Sequence, residues 1–263
     1  MPDIAEVDKE CNGVKANDWK YMYMKIIDSL LSALNYEASV MDICQGPFQT
    51  AVLTGNCGLA ATPHEPGSHH EKTPVREAGS LMEKDTMTLA QMAYSTSTYE
   101  AAIGMATINS LTVVDERHCL ELNAGDLLAE KGKGSKVALV GHFPFVPELR
   151  KVAGELWVIE RQPQQGDFNE NQAEKLVPMA EVVGITGTAF TNHTIERLLE
   201  LCQPQAYVVI LGGTTPLLPV LFDYGVNAIS GAEVIDAEMV LCGVSQGATF
   251  RQLKGIRLLT MMR

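Results

Sequence analysis

The sequence predicts an α/β protein in which a small α+β unit precedes a Rossmann-like parallel sheet with helices on both faces. Three observations predict it. Near-continuous Val/Ile/Leu runs of five or six residues alternate with helical stretches after residue 135, the pattern of strands buried on both faces. The rhythm before that point is mixed, with an amphipathic helix, Thr- and Val-rich strands and a long turn-rich stretch. The two parts also differ in charge: residues 1–134 carry 19 acidic and 10 basic residues, residues 135–263 carry 13 and 10. The junction Glu130-Lys131-Gly132-Lys133-Gly134-Ser135-Lys136 is polar and glycine-rich, and reads as a boundary or the tight approach to a strand. It sets expected domains of 1–130 and 131–263.

Taken in order, Asp18 caps a helix running to about Leu34, with Ile26, Ile27, Leu30, Leu31 and Leu34 on one stripe. Glu37–Cys44 and Gln49–Thr54 read as strands joined at Gly46-Pro47. Residues 55–80 read as a turn-rich loop. Ser97-x-x-Glu100 reads as a capping box opening a helix to about Ser110, apolar nearly all round and hence buried. In the second part, strands are expected at Lys136–Gly141, Glu155–Glu160, Glu181–Gly187, Ala206–Leu211 and Val226–Ser230, with a sixth at Met239–Val244. Helices are expected at Pro144–Ala153, Gln172–Met179, Asn192–Cys202 and Leu217–Phe222.

The chain has 20 Lys+Arg against 32 Asp+Glu, a net charge of −12. A chain this acidic repels phosphate backbones and anionic lipid surfaces, so neither nucleic acid nor membrane is an expected partner. Met1–Glu10 has five charged residues and no apolar core of a signal peptide. The six cysteines, Cys11, Cys44, Cys57, Cys119, Cys202 and Cys242, form no C-x-x-C pair and read as reduced thiols used as small hydrophobes. The expectation is a cytoplasmic protein with a small-molecule ligand, and a homo-oligomer is left open. Three histidines and two acids crowd into His64-Glu65 and His69-His70-Glu71. Pro66-Gly67 prevents a helical ligand pair there, and the stretch reads as a solvated loop without a convincing metal-ligand set.

In open parallel sheets ligands bind at the carboxyl ends of the strands, near the reversal of strand order. That rule selects Gly141, His142 and Phe143 after the first strand, Glu160 after the second, Thr186, Gly187, Thr188 and Asn192 after the third, Gly212, Gly213 and Thr214 after the fourth, and Ser230 after the fifth. His142 suits proton transfer at neutral pH. Glu160, 19 residues beyond Gly141, suits a ribose or polyol hydroxyl. With no G-x-G-x-x-G in the first turn, a nucleotide-like or adenosine-containing ligand such as S-adenosylmethionine fits better than NAD. Gly212-Gly213-Thr214 reads as an anion site with Pro216 opening a helix. Asn109, at the end of the buried helix, is expected to reach the same cavity and orient substrate.

Val140-Gly141-His142-Phe143-Pro144, Thr186-Gly187-Thr188 with Asn192-His193-Thr194, Gly212 to Leu217 and Met105 to Asn109 together resemble the putative heavy-metal chelation family of bacteria and archaea, over nearly the whole chain. The resemblance implies an enolase N-terminal-like fold followed by a Rossmann-like fold with partial likeness to methyltransferases, and a site where the two meet. It implies condensation or hydrolysis in making flavins, pterins or siderophore-like chelators. Alternatives are a non-catalytic metal or metal-chelate binding protein and an S-adenosylmethionine-dependent methyltransferase.

Overall fold

The computed structural model describes residues 24–63 and 74–263. The Asp18 cap, Cys11 and the histidine-rich stretch from His64 to Glu71 lie outside them. Helix α1 (Lys25–Ser32) buries Ile26, Ile27 and Leu30 of the expected stripe, while Leu31 and Leu34, the latter beyond the helix, are half-buried. Strands β1 (Asp42–Gln45), β2 (Gln49–Leu53) and β3 (Cys57–Ala61) form an antiparallel sheet in that order. The first strand begins five residues later than expected, and β3 lies within the stretch expected to be a loop.

After α2 (Thr86–Gln91), helix α3 (Thr98–Leu111) packs along β2 and β3. It is buried on almost every side, as its composition requires. Its small residues let backbones come close. A Cβ on Gly58 of β3 would lie 2.1 Å from the Ala106 carbonyl oxygen and 2.2 Å from the Ser110 nitrogen. Only glycine fits there.

The capping box does not form. Glu100 is instead 2% exposed and accepts from the Arg76 backbone N–H and its Nε and Nη2, and from the Ser95 hydroxyl. The Ser97 hydroxyl donates to the Pro74 carbonyl. A long-range ion pair outcompetes the local cap because the side chain faces the interior.

The large sheet has the order β4-β11-β10-β9-β8-β5-β6-β7. Its strands are β4 (Cys119–Leu120), β5 (Lys136–Val140), β6 (Glu155–Glu160), β7 (Phe168–Asn169), β8 (Val182–Thr186), β9 (Tyr207–Leu211), β10 (Ala228–Val234) and β11 (Ile256–Met262). Pairs from β7 through β10 are parallel; β11 and β4 close the far edge antiparallel. The order reverses between β5 and β8. Along each strand the buried residues alternate. Leu139, Val158, Val209 and Leu211 face α4 (Ala124–Lys131) and α5 (Val146–Val152). Ala138, Ile159, Ile185 and Ile210 face a larger core that also takes in α1, α3, α6 (Ala173–Leu176), α7 (Thr188–Thr191) and α8 (Ile195–Leu201). Strand β4 pairs with β11, α4 packs on the large sheet, and the glycine-rich junction is a turn leading into β5.

Three other expectations are corrected. The helix expected over 192–202 starts three residues later, as α8 at Ile195: His193 takes a left-handed φ of 59° between α7 and α8, and its Nε2 lies 2.8 Å from the Ala93 carbonyl oxygen. The expected helix over 217–222 is a 3-10 turn, Pro219–Tyr224, so Pro219 rather than Pro216 stands in its first turn. Met239–Val244 is not a strand but part of helix α9 (Ala237–Ser245), capped by Asp236. Its Val240 and Val244, four apart, pack on Ala51 and Leu59 of the small sheet. The sheet's real final strand is β11.

Gly58→Ala is expected to lower stability by about 1–3 kcal/mol or more, since neither backbone can retreat independently; urea unfolding measures it. Burial pushes the Glu100 carboxyl up, but the Arg76 and Ser95 hydrogen bonds outweigh it and hold it below the usual range. Its stabilisation is therefore complete above the unfolded value of about 4.3 and fades as pH falls through the lower folded value. Glu100→Gln should reduce the urea midpoint at pH 6 and flatten its decline toward pH 3.

Candidate functional site

The reversal of strand order places the ends of β5 and β8 side by side, and two cavities open there. The first, about 450 Å³, is lined by residues of the large-sheet half alone, including His142, Glu160, Arg161, Asn192 and Arg197. The second, about 800 Å³, lies on the other side of the sheet's edge and between the two sheets. It is lined by Gly187, Gly212, Gly213, Thr214, Ser230 and Phe250, and from the small sheet by Gln49 and Ala61. Phe143, Thr186 and Thr188 line both.

In the first cavity the chain leaves β5 through Gly141, whose φ of +102° favours glycine. A Cβ there would also press on Thr186. The next residue, His142, is held at two points. Its backbone N–H donates to Glu160 Oε2 at 2.9 Å. Its Nδ1 lies 2.8 Å from Asp167 Oδ2. The Asp167 side chain is 2% exposed and the His142 side chain 28%. Asp167 also accepts from the Gln164 N–H, so an acceptor carboxylate faces Nδ1. The Nδ1–H tautomer follows, and Nε2 is left to the cavity.

Glu160 is engaged differently from the expectation. Both oxygens accept backbone N–H groups, of His142 and Arg161, so it fixes the loop that carries His142. Asn192 Oδ1 accepts from the Thr194 N–H and hydroxyl, and Thr188 and Thr186 hydroxyls meet at 3.0 Å. The cavity rim carries ion pairs Arg197–Glu174 at 2.6 Å and Arg161–Glu170 at 3.3 Å. Hydrogen bonds from Arg197 hold the Glu174 carboxyl below its usual range.

In the second cavity Gly187 and Gly213 permit close approach. A Cβ on Gly187 would meet Thr215 Oγ1 at 2.6 Å, and one on Gly213 would meet the Phe250 ring at 2.5 Å. Ser230 is buried and shares a 2.7 Å hydrogen bond with Thr260.

Thr214 and Asn109 do something the sequence does not suggest. Thr214 Oγ1 accepts from the Ala61 N–H at 2.9 Å. Asn109 Nδ2 donates to the carbonyls of Leu59 at 2.7 Å and Thr214 at 3.2 Å. The two residues stitch α3, β3 and the turn after β9. Asn109 lines a third, smaller cavity of about 220 Å³ rather than the shared one. The small sheet reaches the shared cavity through Gln49 and Ala61 instead.

Asp167 and Gln49 are the residues that sequence reasoning missed. Asp167 follows Gly166, which has φ +92°, so a glycine-acid turn after the second strand was its only signal. Gln49 opens a strand and carried none.

Among the described residues, no group of three or more His, Cys, Asp or Glu is placed to hold a metal ion. The five described cysteines are free and separate. Burial pushes the Cys57 thiol up to about 12 and Cys202 to about 11, where neither is a ready thiolate ligand. Cys242 is exposed, contrary to its expected core role, because α9 turns it outward. None of the described helices is long and apolar enough to cross a membrane.

Residues 27–112 and 123–263 match two family descriptions, DUF4213 and DUF364, both given as putative heavy-metal chelation. An uncharacterised protein of Methanocaldococcus jannaschii is 27% identical over 173 residues, which are 62% of this chain and 66% of the relative. That is just under two thirds of the relative's length. A DUF364 protein of unknown function from Desulfitobacterium hafniense superposes with a TM-score of 0.80 at 26% identity, covering 91% of this chain and 98% of that one. One from Pyrococcus horikoshii shares the fold with a TM-score of 0.76 at 19% identity and the same coverage.

If Thr214 is a stitch, Thr214→Val should lower unfolding stability by about 1–2 kcal/mol, because the Ala61 N–H loses its acceptor. An unchanged urea midpoint would leave the ligand role as its only account.

Proposed function

The chain belongs to the putative heavy-metal chelation family, and we propose that it is a small-molecule-processing enzyme in which His142 transfers protons. One observation carries this reading: the 2.8 Å contact from His142 Nδ1 to a buried Asp167 carboxylate at the edge of a cavity of about 450 Å³. A buried acid bonded to one imidazole nitrogen fixes the tautomer and ring orientation of the other, which is the geometry of a general base. The location supports it, since the cavity opens at the carboxyl ends of strands that flank the reversal of order.

The chemistry that fits is hydrolysis or condensation. His142 Nε2 takes a proton from water, a hydroxyl or an amine as that group attacks. The imidazolium, steadied by Asp167, returns the proton to the leaving group. Glu160 keeps the His142 loop in place through its backbone N–H. Arg161, Arg197 and Asn192 give the pocket polar contacts for an oxygen- or nitrogen-rich substrate. An enzyme that makes or trims a chelating molecule is one that the family's description would suit. Flavin-, pterin- or siderophore-like compounds are the substrate class. None of the relatives described above is named as a methyltransferase.

The test is untargeted mass spectrometry of a small-molecule extract incubated with purified protein. At least one compound should be consumed by the wild type, about 10²–10⁴-fold more slowly by His142→Ala. Asp167→Asn should also slow it, with an unchanged melting temperature. Wild-type turnover in His142→Ala would overturn the assignment.

A further inference from the structure

The cavity of about 800 Å³ between the sheets contains a group that the acid–base reading leaves unused. Gln49 is 6% exposed and lines that cavity. Its Oε1 is enclosed and has no hydrogen-bond partner among the described residues. The large majority of buried polar atoms in native proteins are paired, so an orphaned one, here Gln49 Oε1 and also Thr215 Oγ1, calls for a partner. A carboxamide sets a donor beside its acceptor and pairs edge-on with groups that present the complementary couple, as Gln and Asn do with adenine. Three aromatic rings, Phe143, Phe145 and Phe250, line the same cavity. Phe143 stacks on Phe145 with ring centres 5.3 Å apart. Phe250 lies against Gly213 so closely that no side chain could stand between them.

We infer that this second cavity binds a flat nitrogen heterocycle whose lactam or amidine edge pairs with the Gln49 carboxamide while its faces lie against Phe143 and Phe250. The ring supplies N–H to the orphaned carbonyl and an acceptor to the amide nitrogen. Because Phe143, Thr186 and Thr188 line both cavities, a substrate with such a ring extends from Gln49 toward His142. The binding assignment goes beyond the acid–base reading and is measured without turnover, so either can fail while the other holds.

Two probes separate the edge from the ring. Carbostyril is a bicyclic lactam; coumarin is its lactone counterpart, the same shape with oxygen in place of N–H. Titration of the whole protein by ligand-observed NMR should show carbostyril binding about tenfold tighter than coumarin, the cost of facing a buried acceptor with no donor. Gln49→Met keeps length and removes both polar atoms, and should bring the ratio close to one. Phe250→Ala should weaken both probes and keep the ratio. Equal affinity of the two probes for the wild type overturns the assignment whatever the variants do. So does the absence of binding by carbostyril at millimolar concentration, or a ratio that survives Gln49→Met in protein with a wild-type melting profile.

Discussion

The architecture depends on one close contact, the backbone-to-backbone seating of α3 against Gly58. A helix with Ala101, Ala102, Gly104 and Ala106 on its surface can lie deeper in a protein than one carrying branched side chains. Here it packs along the small sheet while its other sides meet Ala93 and α7. Once seated, its last turn delivers Asn109 to the carbonyls of Leu59 and Thr214, and Thr214 in turn takes the Ala61 N–H. Each group is polar and sits in or near the interior, where an unpaired partner is costly. The small sheet is thereby held in register with the carboxyl edge of the large one. Helix α9 adds to this from the opposite face, although it is separated from the small sheet by most of the sequence.

That fixed register explains why there are two cavities rather than one. The parallel strands leave a gap where β5 and β8 send their connections to opposite faces. On one side α6 and α8 frame the gap and make a pocket around His142 with charged side chains on its rim. On the other, α4 and the small sheet frame it and make a more apolar one. Phe143 and Thr188 stand on the dividing edge. The strand-end positions are divided by the sheet. His142, Glu160 and Asn192 fall on one side and Gly212, Gly213, Thr214 and Ser230 on the other. Asn109 lines the third, smaller cavity.

The family's description speaks of metal, and at the end of β5 the described side chains set an imidazole against a carboxylate. Among the described residues the five thiols are scattered, and burial pushes those of Cys57 and Cys202 up. The imidazole that faces a pocket is bonded to a carboxylate in the manner that orients a base.

Local pattern alone was enough to read the parallel strands, because residues buried on both faces must be apolar in unbroken runs and few other structures tolerate Val-Ala-Leu-Val or Val-Val-Ile-Leu. It was enough to read the buried helix and the strand-end position of His142. It was not enough for β3, whose glycine and alanines look like loop until α3 is laid on them, nor for α9, whose apolar run suits a strand until its Asp236 cap and four-residue spacing are set against the small sheet. Glu100 read as a cap and proved to be a buried ion-pair partner, since pairing with Arg76 depends on how the chain returns. The same is true of Asp167, Gln49 and Asn109. A single side chain's partner is decided by which segments the fold brings within three ångströms, and periodicity carries no information about segments far apart in the chain.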